Sequence, residues 1–115
     1  MIGSLSTIVL DCPDPQALAR FYSELLGWPI TGSDDDWVDV GDGQPRLAFQ
    51  LAPDHQPPQW PDPGRPQQFH LDVRVEDVEV AEKAVLALGA TRLPGGGEDF
   101  RVYADPAGHP FCLIW

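Results

Sequence analysis

Thr7-Ile8-Val9-Leu10-Asp11-Cys12-Pro13-Asp14 returns, with the same order of properties, as His70-Leu71-Asp72-Val73-Arg74-Val75-Glu76-Asp77. Each stretch leads into a helical pattern that closes on a Leu-Gly pair, Leu26-Gly27 in one case and Leu88-Gly89 in the other. Asp14 and Asp77 lie 63 residues apart and the two glycines 62, so one residue separates the two helices in length. The spacing persists downstream, with 23 residues from Gly27 to Gln50 and 23 from Gly89 to Cys112. Self-similarity at one fixed period marks a duplicated supersecondary unit.

The residues inside each copy say what the unit is. Residues 5–10 are apolar and β-branched and stop at a proline turn; residues 69–75 alternate Leu71, Val73 and Val75 against His70, Asp72 and Arg74. Both patterns predict strands. Asp14 followed by Pro15 is an N-cap with a first-turn proline, and Leu18, Phe21, Tyr22 and Leu25 recur at helical spacing, which predicts a helix over 15–26. Asp77 caps a counterpart whose apolar face is Val78, Ala81, Val85 and Leu88. Three short extended segments follow each helix: 29–31, 36–40 and 46–51 in the first copy, 91–93, 99–104 and 110–114 in the second. Each half therefore reads strand, helix, three strands. Between them, residues 52–66 hold six prolines in fifteen positions, which predicts an extended, semi-rigid connector joining module one (5–51) to module two (67–115).

At 115 residues the chain is the size of one domain, 1–115. Eighteen acids against seven bases give a net charge of −11, a field that repels phosphate backbones and anionic lipid surfaces, so neither nucleic acid nor membrane is expected as a partner. No apolar run approaches the ~20 residues of a membrane helix, and Met1-Ile2-Gly3-Ser4 lacks a secretory pattern. A cytoplasmic protein with two reduced thiols is the expectation. Asp34-Asp35-Asp36 reads as a solvated turn, and Gly95-Gly96-Gly97 precedes neither a Lys nor a helix, so it is no phosphate cradle.

With an Asp capping each helix, Leu-Gly ending it, and Asp105-Pro106-Ala107-Gly108-His109-Pro110-Phe111 leading into the last segment, the chain resembles the vicinal oxygen chelate superfamily, specifically its small glyoxalase-like and bleomycin-resistance-like members. The resemblance implies an α+β fold, two tandem βαβββ modules forming a curved mixed sheet with helices on the outer face. It also implies a divalent metal site with one donor from the first and last strand of each module, which falls on Thr7, Gln50, His70 and Cys112. Thr7 is a weak neutral donor and Cys112 stands where a Glu commonly closes such a site. The set thus has no carboxylate, and no metal cofactor is expected. The alternative is one divalent ion on His70, Gln50 and Cys112, with zinc the ion suited to thiolate and imidazole.

In such a fold the sheet face away from the helices forms a cup. Strand alternation then assigns Thr7, Gln50, Trp37 and Asp39 of module one and His70, Asp72, Tyr103 and Cys112 of module two to ligand binding. The expected function is binding of a small molecule, an aromatic or cationic compound, at a degenerate metal site, as in resistance-type sequestration. Two alternatives stay open: a metal-dependent lyase, isomerase or dioxygenase, and a non-catalytic structural or regulatory dimer module. Trp60, set in the connector, reads as cover for a domain edge or a contact in a homodimer ahead of a ligand-stacking ring.

Overall fold

Asp14 and Asp77 begin the two helices as capping chemistry requires. In the computed structural model, which describes residues 1–115, the Asp14 carboxylate accepts from the Ala17 amide at 3.1 Å, and Gly27 ends α1 (Pro15–Leu26) in the left-handed conformation at φ 68°. Asp77 accepts from the amides of Glu79 and Val80 at 3.0 and 3.3 Å and starts α2 (Val78–Ala87). Around α1 lie β1 (Thr7–Cys12), β2 (Ile30–Ser33), β3 (Trp37–Val40) and β4 (Arg46–Leu51). Around α2 lie β5 (Leu71–Arg74), β6 (Thr91–Arg92), β7 (Phe100–Ala104) and β8 (Pro110–Ile114). The chain divides into two compact units, Met1–His55 and Gln56–Trp115. Each holds one four-stranded sheet, ordered β1-β4-β3-β2 and β5-β8-β7-β6. In both, the first strand joins the last in parallel and the remaining pairs are antiparallel. The architecture is α+β, a βαβββ module built twice. No helix is long and apolar enough to cross a membrane.

The two helices are held by different forces. In module one, α1 buries Leu18, Ala19, Phe21 and Tyr22 on a sheet whose Leu10, Val38, Val40, Leu47 and Phe49 are also buried, and the Tyr22 ring stacks on Phe49 at 5.4 Å. Each large side chain so buried contributes roughly 1.5–3 kcal/mol. Within α2 only Val85 is buried. Charge replaces the missing apolar contact. Glu82 Oε1 accepts from the Tyr103 hydroxyl at 2.8 Å and from Arg92 at 2.7 Å, and Oε2 accepts from Arg101 at 3.1 Å. Arg101 also donates to Glu79 at 2.6 Å. The Tyr103 hydroxyl, then Arg92 and Arg101, hold the Glu82 carboxyl below its usual range against the opposing effect of burial. Burial, followed by the Glu82 acceptor and its charge, pushes the Tyr103 hydroxyl up to about 12.

Residues 52–66 are not the extended connector that proline content predicts. The Gln59 amide reaches the Arg65 carbonyl at 2.8 Å, the Asp62 amide the Gln59 carbonyl at 2.6 Å, and the Arg65 amide the Asp62 carbonyl at 3.1 Å. The Asp62 carboxylate accepts from Gly64 at 2.8 Å. Asp62-Pro63-Gly64 is turn chemistry, and it folds residues 59–65 back into a loop that belongs to the second unit. A second tight turn joins β7 to β8. Asp105, buried at 3% exposure, accepts from the amides of Ala107 and His109 at 2.8 and 3.0 Å. Gly108 sits there at φ 93°, and a Cβ on it would lie 2.5 Å from Pro57 Cβ.

Candidate functional site

Register fixes which side chains of module two meet. On β8, Cys112 lies opposite Asp72 of β5 and opposite Val102 of β7; Ile114 lies opposite Arg74 and Phe100. Side chains alternate across a strand, so these six share one face, while Tyr103, Phe111 and Leu113 turn toward α2. His70 immediately precedes β5 and keeps its parity. Its Nε2 is 3.2 Å from Asp72 Oδ1. The ligating atoms of His70, Asp72 and Cys112 all lie within 4.8 Å of one another. Cys112 is the floor of this group at 6% exposure, whereas the His70 and Asp72 side chains reach solvent. Burial pushes the Cys112 thiol up to about 11, and the Asp72 charge and hydrogen bond add to the effect. Cys112 is therefore a thiol at neutral pH.

The same face opens into a cavity of about 400 Å³. That volume lies in the usual range of small-molecule sites, ~300–1,000 Å³. Its aromatic walls are Trp60, Phe100 and Trp115, and its acidic groups are Asp72 and Asp99, with Arg74 the single guanidinium. Trp60 is half-buried and its indole N–H donates to the Pro94 carbonyl at 2.8 Å, which orients the ring. Trp60 thus lines a cavity instead of serving only as cover for an edge. Arg101 lies 5.8 Å from the Trp115 ring centroid and ties that wall to the Glu79 and Glu82 clasp. The side-chain oxygen of Gln67, also in the lining, is buried and has no hydrogen-bond partner, an acceptor at the wall. Gln67, Asp99, Phe100 and Trp115 carry no sequence motif; only their neighbours in the folded sheet mark them.

Tyr103 requires a correction. Strand alternation in the sequence puts Tyr103 on the ligand side. The register does the opposite: Tyr103 is fully buried beneath α2, bonded to Glu82. The helix it meets is acidic there, so polar side chains belong on the packed side. Glu79 and Glu82, one helical turn apart, were the readable signal.

In module one the sequence-assigned residues fall on two places. Trp37 and Asp39 are neighbours on β3, with the Trp37 indole donating to Asp39 Oδ1 at 3.0 Å and Arg46 Nε 4.0 Å from the same oxygen. Gln50 is exposed and lies opposite Trp37 and Asp11. Thr7 lies opposite Arg46, four positions along the strand from Gln50, which at ~3.3 Å per residue is about 13 Å. Thr7 and Gln50 therefore share no site.

A family model for the glyoxalase-like domain matches residues 7–114. The chain belongs to the glyoxalase-like domain family. Solved structures agree on the fold of this glyoxalase-like chain. A glyoxalase/bleomycin resistance protein/dioxygenase family enzyme from Burkholderia phytofirmans PsJN superposes with a TM-score of 0.76 at 17% identity, over 96% of this chain and 97% of the other. A glyoxalase-related enzyme from Fulvimarina pelagi gives 0.72 at 22% identity, over 98% and 88%. A bleomycin-binding protein from Streptomyces verticillus, complexed with copper(II)-bleomycin, gives 0.58 at 22% identity, over 99% and 98%. These matches make the chain a member of the vicinal oxygen chelate superfamily. No curated protein sequence matches it.

The metal arrangement implied by that superfamily does not fit this glyoxalase-like chain. It needs paired donors in each module, and in module one Thr7 and Gln50 stand apart. Outside those four positions, Asp72 of the same face brings a carboxylate beside His70 and Cys112.

Proposed function

We propose that this glyoxalase-like protein binds a small molecule in the module-two cavity, and that the ligand is an aromatic or amphipathic cation. One observation carries the reading: Trp60, Phe100 and Trp115 wall the same ~400 Å³ space into which Asp72 and Asp99 place two carboxylates. Aromatic faces attract cations through the ring quadrupole, and the net charge of −11 draws them toward the protein. The unpartnered Gln67 oxygen supplies an acceptor for a ligand N–H. A relative of the same fold is a bleomycin-binding protein, so small-molecule binding has precedent on this architecture. The reading extends to a homodimer, supported by apolar side chains left in water, Phe69 at 60% and Val80 at 65% exposure.

The test is a thermal-shift screen of matched aromatic compounds carrying positive, zero or negative charge, run at low salt with chelator present. Cations should stabilise the protein most. Trp60→Ala and Trp115→Ala should each weaken the best cation by roughly 2- to 30-fold, the equivalent of ~0.5–2 kcal/mol per cation–π contact. Preferential stabilisation by anions, or affinity indifferent to both tryptophans, overturns the reading.

A further inference from the structure

Arg74 is the single guanidinium on the wall of the module-two cavity. Two other arginines of this module are committed to carboxylates of α2: Arg92 meets Glu82 at 2.7 Å, and Arg101 meets Glu79 at 2.6 Å and Glu82 at 3.1 Å. Arg74 pairs with no carboxylate, so its planar fork of donors stays open. Of the two cavity carboxylates, Asp72 stands 3.2 Å from His70 Nε2, while Asp99 has no ion-pair partner. One free charge of each sign therefore borders the same space. Register sets how far apart they start. Arg74 of β5 lies opposite Ile114 of β8, which lies opposite Phe100 of β7; Asp99 precedes Phe100, and its carbonyl accepts from the Trp115 amide at 3.1 Å. Two inter-strand steps put these backbones about 10 Å apart. Phe100 and Trp115 supply aromatic wall at the same end of the cavity. A benzene ring with one charged group at each end fits inside that span.

We infer that the ligand of this cavity is amphoteric, an aromatic ring carrying an ammonium group at one end and a carboxylate at the other, with Asp99 receiving the ammonium and Arg74 the carboxylate. The inference rests on the cation reading above and narrows it. A ligand with positive charge alone leaves Arg74 opposing it by like-charge repulsion. An acid group at the far end of the ring reverses the sign, because a guanidinium and a carboxylate match in a two-bond, charge-assisted pair. Arg74 is then the residue that selects the zwitterion over the simple cation.

The experiment titrates the full chain, at pH 7 and low salt with chelator present, with 4-(aminomethyl)benzoate and with 4-(aminomethyl)benzamide, which has the same shape and ammonium but no acid charge. Binding is read from chemical-shift changes of module-two amides in heteronuclear NMR. Wild type should bind the benzoate more tightly than the benzamide by roughly threefold or more. Arg74→Gln, at an exposed position that leaves the core intact, should remove this preference, weakening the benzoate and leaving the benzamide equal or tighter. Asp99→Asn, also exposed, should weaken both compounds, since both carry the ammonium. Equal or tighter binding of the benzamide by wild type, a preference that survives Arg74→Gln, or affinities indifferent to Asp99→Asn would each overturn the inference while the cation reading stands. Failure of both compounds to bind would overturn the two together.

Discussion

Tyr103→Phe removes one atom from the middle of module two and leaves the ring where it is. The phenyl group keeps its stacking on Phe111 at 5.6 Å, while Glu82 loses its 2.8 Å hydroxyl donor and retains Arg92 and Arg101. A hydrogen bond to a charged acceptor contributes about 1.5–3 kcal/mol net. The pH dependence gives a second readout. Below pH 10 the hydroxyl is protonated in folded and unfolded chains alike, and its contribution is complete. Between pH 10 and about 12 the unfolded chain releases the proton while the folded chain retains it, so rising pH favours unfolding. Two pKa units correspond to about 2.7 kcal/mol lost across that window, the largest part of it from burial of the hydroxyl and the rest from the Glu82 acceptor and its charge. The measurement is urea unfolding of wild type and Tyr103→Phe by circular dichroism at several pH values from 8 to 11.5, with amide exchange of α2 recorded alongside. The variant should be less stable by about 1.5–3 kcal/mol at pH 8, and the gap should narrow above pH 10. A gap that stays constant across this range, or α2 exchange unchanged by the substitution, would refute the role assigned to the hydroxyl.

Strand parity in module two is tested by a pair of neighbours. His70→Ala should change stability little, because the side chain is partly exposed, whereas Leu71→Ala, half-buried on the helix side, should lose about 1–2 kcal/mol in thermal unfolding. Gly108→Ala places a side chain at φ 93° against Pro57 and should destabilise by about 1–3 kcal/mol; Gly43→Ala, with nothing within 4 Å, is the control and should be near neutral. Light scattering at micromolar concentration should give twice the 12.6 kDa chain mass, and a monomeric mass would count against the homodimer.

What was legible in the sequence was local chemistry. Asp14, Pro15 and Gly27 bounded α1 to the residue because each solves a hydrogen-bonding or dihedral problem within one turn. The Asp105 turn was readable for the same reason. Properties that depend on the facing element were not. Tyr103 falls on the face opposite to the expected one because strand register sets the parity of β7, and its hydroxyl packs beneath α2 by bonding Glu82. Alternation put Asp72 on the same face as His70 and Cys112, but that Asp72 lies directly opposite Cys112 follows from strand register, which no spacing along the chain reports. Trp60 enters the cavity wall through a loop whose closure rests on the Asp62 and Gly64 contact, a cue present in the sequence and outweighed there by proline content.

The uneven docking of the helices has a consequence for how the protein meets its surroundings. At physiological ionic strength the Debye length is about 8 Å, so the partly exposed carboxylates and guanidiniums that seat α2 are weakened by added salt, while the aromatic seat of α1 is indifferent to it. Arg101 belongs both to that seat and to the Trp115 wall. Ionic strength therefore acts on the cavity twice: it screens the attraction of a cationic ligand from a distance, and it loosens the wall against which that ligand would rest.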